Sequence, residues 1–179
     1  MDPCKSIANM QRGQRSKKIL KNSEIRLIDF GSATFNDEYH SNLVSTRHYR
    51  APEIILGNFL KTSFLTPGCG WSFPCDMWSI GCILVEFCTG DALFQTHDNL
   101  EHMAMMEPIC GKINAKMMRT ANKDTQRKLF KDYKLDYPNS DTTKQSRKYV
   151  KAMKPLKVLF HPSIKSDKSG NDPSGYGDE

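Results

Sequence analysis

Asp29 is the residue with the clearest chemical potential. It follows an apolar run, Ile25, Leu27 and Ile28, that predicts a short strand, and Gly31 lets the chain turn sharply just after it. A carboxylate at the exit of such a strand is well placed to hold a divalent metal over phosphate oxygens. Phosphoryl transfer depends mainly on neutralising and positioning charge, so an acid in that position points toward phosphate chemistry. Asp29-Phe30-Gly31 alone is a short word that chance also produces. It gains weight from Ala51-Pro52-Glu53 further along the chain. Zinc or redox chemistry has less support. Cys4, Cys69, Cys75, Cys82, Cys88 and Cys110 form no C-x-x-C pair, and no paired histidines complete a ligand set.

The elements that must position Asp29 are unevenly legible. Residues 1–22 are polar and basic, with no period that commits to helix or strand. Two short strands are expected over 23–35 around the turn, then a polar loop over 36–45, then a loop and short helix over 46–57. Residues 75–89 give the clearest helix. Asp76 sits in its first turn, where a carboxylate favours the positive end of the dipole. Met77, Trp78, Ile80, Ile83, Leu84, Val85 and Phe87 point in nearly every direction, which predicts a buried helix. Cys82 and Cys88 lie within it, where cysteine usually acts as a small buried hydrophobe. Over 96–111, Leu100, Met103 and Ala104 repeat at helical spacing, with Thr96 or Asp98 as the cap. Pro108 predicts that this helix ends or kinks near Glu107, and the methionines read as core packing.

These residues resemble the eukaryotic protein kinases. Ser45-Thr46-Arg47-His48-Tyr49-Arg50-Ala51-Pro52-Glu53 is similar to the substrate-docking loop of the group containing cyclin-dependent, MAP and cdc-like kinases. Glu101-His102-Met103-Ala104-Met105-Met106-Glu107 is close to E-H-L-A-M-M-E-R, the signature of the LAMMER (cdc-like) kinases, and Phe94-Gln95-Thr96-His97-Asp98-Asn99-Leu100 looks most like the plant branch. Met103 stands for leucine and Pro108 for arginine. The likeness covers residues 23–157, interrupted by 58–69.

The resemblance implies a mainly α fold with an α+β remnant: an incomplete kinase large lobe with short strands around D-F-G, helices, and disordered termini. The expected organisation is a basic flank over 1–22, a partial large lobe over 23–157, and a disordered tail over 158–179. Residues 58–69 are expected to form a surface loop, with Phe59, Leu60, Phe64 and Leu65 exposed, either as a new docking element or as a splicing or gene-model artefact. By resemblance Asp29 chelates Mg²⁺ beside ATP. Thr46 hydrogen-bonds the catalytic aspartate and lysine, and Arg50 shapes the substrate loop. Glu53 pairs with an arginine late in the large lobe, and Asp76 holds the catalytic-loop backbone. The implied activity is ATP-dependent phosphorylation of arginine-serine-rich splicing factors by a dual-specificity, serine/threonine-directed enzyme.

The departures from the family bear on that activity. No G-x-G-x-x-G, no V-A-I-K-like lysine before Asp29 and no H-R-D occurs in the 179 residues. With no catalytic base assigned, the chain alone is expected to be inactive, and the alternative is a non-catalytic substrate- or partner-binding module. Glu53 is expected to lack its arginine and leave the loop poorly anchored, and one face of the helix over 75–89 is expected to lie uncovered. Residues 112–157 resemble the LAMMER insert, with Ile113, Met117, Met118, Leu129, Phe130 and Tyr133 as apolar anchors.

Charge and composition set further bounds. The net charge of +6 is segregated, with +5 over 1–22, −7 over 23–110 and +11 over 111–168. Such a basic surface suits RNA, acidic partners or an importin-type receptor, and equally a solvated flank. No base-stacking aromatic pattern accompanies the lysines, so direct nucleic-acid binding is not expected. No signal peptide or membrane-length apolar run is present, so a nuclear location by resemblance, or a cytoplasmic one, is expected. The chain is expected to be monomeric or aggregation-prone.

Overall fold

The computed structural model describes residues 4–6, 18–57 and 70–159. The expectations for the rest of the 1–22 flank, for the 58–69 insertion and for most of the 158–179 tail lie outside the described residues. Contacts divide the chain into two compact units, 1–34 and 35–179.

In the first unit β1 (Cys4–Ser6) pairs antiparallel with β2 (Lys18–Leu20), Cys4 opposite Leu20. Three-residue strands are too short to show a period and leave no pattern to read. The strands expected around Asp29 do not form. Residues 22–29 have no regular structure, and a single 3-10 turn occupies Phe30–Ser32. A strand is stable only when its backbone pairs and one face is buried. Here neither condition holds, since Ile25, Leu27 and Ile28 are 90, 83 and 76 % exposed.

The second unit is helical, in keeping with the mainly α expectation. A 3-10 turn at Arg47–Tyr49 leads into α1 (Pro52–Leu56), whose first position is a proline with φ already set for a helix. Gly57 ends α1 at φ 56°, a left-handed backbone that strains any residue with a side chain, and a Cβ there would touch that of Asn122 at 3.4 Å. The Leu56 carbonyl accepts the Asn122 N–H at 3.0 Å and so joins α1 to the distant insert.

Helix α2 (Pro74–Thr89) starts one residue before the predicted helix and ends where predicted, with Gly90 left-handed beyond it. Its apolar circumference is covered on one side only. Cys75, Cys82 and Val85 are buried, whereas Met77, Ile80, Leu84 and Phe87 form an exposed stripe. The uncovered face is as expected, but the wholly buried helix is not. Cys88 is likewise exposed rather than a core residue.

The more enclosed helix is α3 (Asn99–Cys110). His102, Met103, Ala104, Met105, Met106 and Ile109 are all buried. Asp98 is its cap, accepting the Glu101 N–H at 2.7 Å, while the Thr96 hydroxyl accepts the Asp98 N–H. The helix does not end at Glu107 but runs through Pro108 to Cys110. Pro108 falls in the last turn, where it removes one ladder bond. Burial of Ile109 and the bond from Gly111 N–H to Glu107 C=O hold the turn beyond it.

Residues 112–157 wrap this core with α4 (Ala115–Thr120), α5 (Lys123–Leu129), the two-residue strands β3 (Phe130–Lys131) and β4 (Lys134–Leu135), and α6 (Lys144–Ala152). Leu129 is buried, and Ile113, Met117 and Phe130 pack against the core. Met118 is partly buried. Tyr133 is no anchor. It occupies the β3–β4 turn at φ 55° and is 78 % exposed. Among the described residues no helix is long and apolar enough to cross a membrane.

His102 makes the core acid-sensitive. Burial first, then the positive Arg47, Arg50 and His48, lower its imidazole from 6.5 to about 4. The unfolded ring therefore binds its proton at higher pH than the folded one. Stability is full above pH 6.5 and falls as pH drops toward 4, by roughly 3 kcal/mol for a shift of this size. Urea titrations at pH 7 and pH 5 should show about 2 kcal/mol of that loss in the natural chain and a smaller one in His102→Leu. Equal losses in both would place the sensitivity elsewhere.

Candidate functional site

Ser45 takes a left-handed φ of 64°, a strained choice for a residue with a Cβ, and something must hold it there. Arg50 does so. Its Nε donates to the Val44 carbonyl at 3.2 Å and its Nη2 to the Ser45 carbonyl at 3.0 Å. Arg50 is buried, and burial, followed by the nearby Arg47 charge, lowers its guanidinium from the ordinary value. The planar fork reaches two carbonyls at once, which a lysine would not do.

The neighbouring residues fix this kink to the helices. Tyr49 donates its hydroxyl to Glu86 at 2.7 Å, and that bond, ahead of burial, raises the phenol above its usual value. Ser79 on α2 donates to the Tyr49 carbonyl at 2.8 Å. Arg47 Nη1 donates to Asn99 Oδ1 at the start of α3, at 2.6 Å. Upstream, Trp71 Nε1 donates to the Ser41 carbonyl at 2.7 Å and its ring lies 4.7 Å from that of His40. The loop is therefore well anchored, contrary to the expectation drawn from Glu53. Glu53 is half-buried in the first turn of α1 with no cation beside it among the described residues, but the anchoring runs through Arg50, Tyr49 and Trp71 instead.

Thr46 is exposed before the 3-10 turn, and its side chain makes no capping bond. Asp76 is exposed in the first turn of α2. Asp29 belongs to the unit 1–34, and Thr46, Arg50, Glu53 and Asp76 to the unit 35–179. Asp29 is left-handed at φ 64°, which an aspartate tolerates, and is exposed.

Magnesium is held by about six oxygens in near-octahedral geometry, one or two of them carboxylate and the rest from phosphate and water. Among the described residues no group of three or more His, Cys, Asp or Glu side chains could hold a metal ion. Asp29 offers one carboxylate ligand, so these residues do not make a magnesium site by themselves. Cys75 and Cys82 are unsuited as well, since burial pushes both thiols up to about 11 and keeps them protonated.

The sequence did not disclose the Tyr49–Glu86 bond or the burial of His102. Both depend on residues far apart in the chain.

Arg50→Lys should cost about 1–3 kcal/mol of stability and open residues 44–46 to protease. Limited proteolysis with fragment mapping, run beside a urea titration, checks both. Unchanged cleavage at 44–46 would remove Arg50 as the clamp.

Comparison with known proteins follows the same segments. Residues 16–160 match the family described as "Protein kinase domain". The chain is similar to the dual specificity protein kinase lkh1 of Schizosaccharomyces pombe, 54 % identical over 81 % of this chain and 19 % of that protein. It is similar to the serine/threonine-protein kinase AFC1 of Arabidopsis thaliana, 49 % identical over 77 % of this chain and 27 % of that one. The dual specificity protein kinase CLK4 of Mus musculus is 50 % identical over 82 % of this chain and 27 % of its own length. A solved kinase-domain crystal structure superposes with a TM-score of 0.70 at 38 % identity, covering 87 % of this chain and 43 % of that chain. The chain thus spans about a fifth to a quarter of the length of these curated relatives.

Proposed function

The chain belongs to the protein kinase domain family, in its LAMMER branch, and we propose on that premise that it is the substrate-facing part of a kinase large lobe rather than a self-sufficient enzyme. The observation that carries this reading is the order of residues 44–51. Arg50 clamps the Ser45 kink, and Tyr49 and Arg47 tie it to α2 and α3.

Transfer of a phosphoryl group needs a base for the incoming hydroxyl, metal ligands, and a cation gripping the phosphates. The 179 residues contain no G-x-G-x-x-G and no H-R-D, and among the described residues no group of three or more His, Cys, Asp or Glu side chains could hold a metal ion. Losing one such group commonly costs orders of magnitude in rate. In this chain alone the function therefore takes a non-catalytic form: binding a substrate or partner segment along residues 44–53. ATP and magnesium belong to the family activity, in which ATP supplies the group that is transferred, and Asp29 is the residue here that a metal would meet.

The likeness to relatives named as dual specificity and serine/threonine kinases supports a role in serine/threonine phosphorylation. Arginine-serine-rich splicing factors are the proposed partners and the nucleus the proposed location, since LAMMER resemblance and the basic balance agree with both. Calorimetric titration of the 179-residue chain with Mg-ATP should show no saturable binding below millimolar concentrations. Micromolar binding, or phosphate transfer to an arginine-serine peptide, would overturn the inactive reading.

A further inference from the structure

Helix α2 carries more apolar surface than its own unit covers. Cys75, Cys82 and Val85 are buried on one side, while Phe73, Met77, Ile80, Leu84 and Phe87 are between 47 and 76 % exposed. Phe73 precedes the helix but already has helical backbone angles, φ −40° and ψ −37°. The steps between the five are four, three, four and three residues. That is the seam of a two-helix coiled coil, and it keeps all five within about 80° of arc on one face.

The seam is long and uncharged. At 1.5 Å per residue it runs about 21 Å. The charged residues of α2 are Asp76, at the edge of the seam, and Glu86, on the far side and bonded to Tyr49. Free side chains of this size present roughly 150–200 Å² each, so the exposed fractions amount to about 550 Å² of apolar surface. That is near the upper end of what a monomer leaves to water. Covered by its like, the seam would remove about 1,100 Å² from two copies, just above the roughly 1,000 Å² that a specific interface needs.

Shape selects the occupant. A straight ridge with this spacing is complementary to another such ridge, and the chain itself supplies one. Opposed helix dipoles favour an antiparallel arrangement. A twofold axis across the middle of α2, between Ile80 and Gly81, sets Met77 of one copy level with Leu84 of the other, and Phe73 level with the exposed Cys88. Ile80 and Gly81 of both copies meet at that axis. Gly81 weakens the middle of a helix, yet nothing lies within 4 Å of where its Cβ would stand, so packing inside the chain does not call for it. It leaves room for close approach by a second backbone. A contact that uses the same patch on both sides closes at two copies and does not grow.

We infer that this face of α2 is a docking surface for a second copy of the chain, α2 against α2, antiparallel about a twofold axis.

Sedimentation equilibrium of the full 179-residue chain should show a monomer–dimer equilibrium in the micromolar range. Ile80→Glu brings two carboxylates to the axis and should raise the dissociation constant about a hundredfold. Gly81→Glu should do the same from a position with open space in the single copy, and it carries the test if Ile80→Glu does not keep its helical circular dichroism. Leu84→Glu should also weaken the dimer, and adding Met77→Lys should recover about tenfold, because the two positions lie level across the axis. Failure of that recovery would overturn the register. Tyr133→Glu, exposed in the β3–β4 turn, should change nothing. Larger open-ended species, or a dimer that both axis variants leave intact, would overturn the docking surface. A monomer at every concentration would overturn it too, and slow peroxide oxidation of Met77 in that monomer would put a segment of the same chain on the seam instead.

Discussion

Three rings hold the second unit together. Trp78 of α2 stacks on Phe94 with centroids 6.0 Å apart and planes 10° from parallel, and Phe94 meets His102 of α3 at 5.0 Å. Phe94 is 1 % exposed and His102 not at all, so this column links α2 to α3 through the Phe94 ring between them. Large buried rings contribute through area and through ring-to-ring geometry, and little else here compensates them. The Trp78 indole N–H and both His102 nitrogens are buried with no partner. The column is therefore apolar in effect despite its polar atoms. A neutral His102 fits it and a charged one does not.

What hangs on that column is the loop the site depends on. Glu86 and Ser79, which fix Tyr49, lie on α2, and Asn99, which receives Arg47, opens α3. If the two helices shifted, the bonds on either side of Arg50 would pull apart. The Ser45 kink would then lose the geometry that the Arg50 fork requires. The methionines of α3 supply the packing that resists this. Each fully buried side chain contributes on the order of 1.5–3 kcal/mol, and their flexible stems fill an irregular core. On its other side α2 shows an exposed stripe of Met77, Ile80, Leu84 and Phe87, so one half of this helix is rigid core and the other half surface.

The sequence disclosed most where a signal was local. The cap of α3 was narrowed to Thr96 or Asp98 from residue type alone, and α2 was placed to within a residue. It disclosed less where the outcome depended on what lies opposite. Ile25, Leu27 and Ile28 have strand composition but find no partner. The apolar circumference of α2 looked like that of a buried helix, yet α3, with its histidine and glutamates, is the more enclosed. Pro108 is a helix breaker in isolation but sits in a last turn that Ile109 secures.

The central claim is that residues 44–51 are ordered by α2 and α3 themselves. Hydrogen exchange followed by mass spectrometry on the 179-residue chain, without nucleotide or metal, measures this directly. Tyr49 and Arg50 amides, bonded to Thr46 and Arg47 carbonyls, should exchange slowly alongside those of 103–107, while 25–29 exchanges at once. Exchange at 49–50 as fast as at 25–29 would contradict the account.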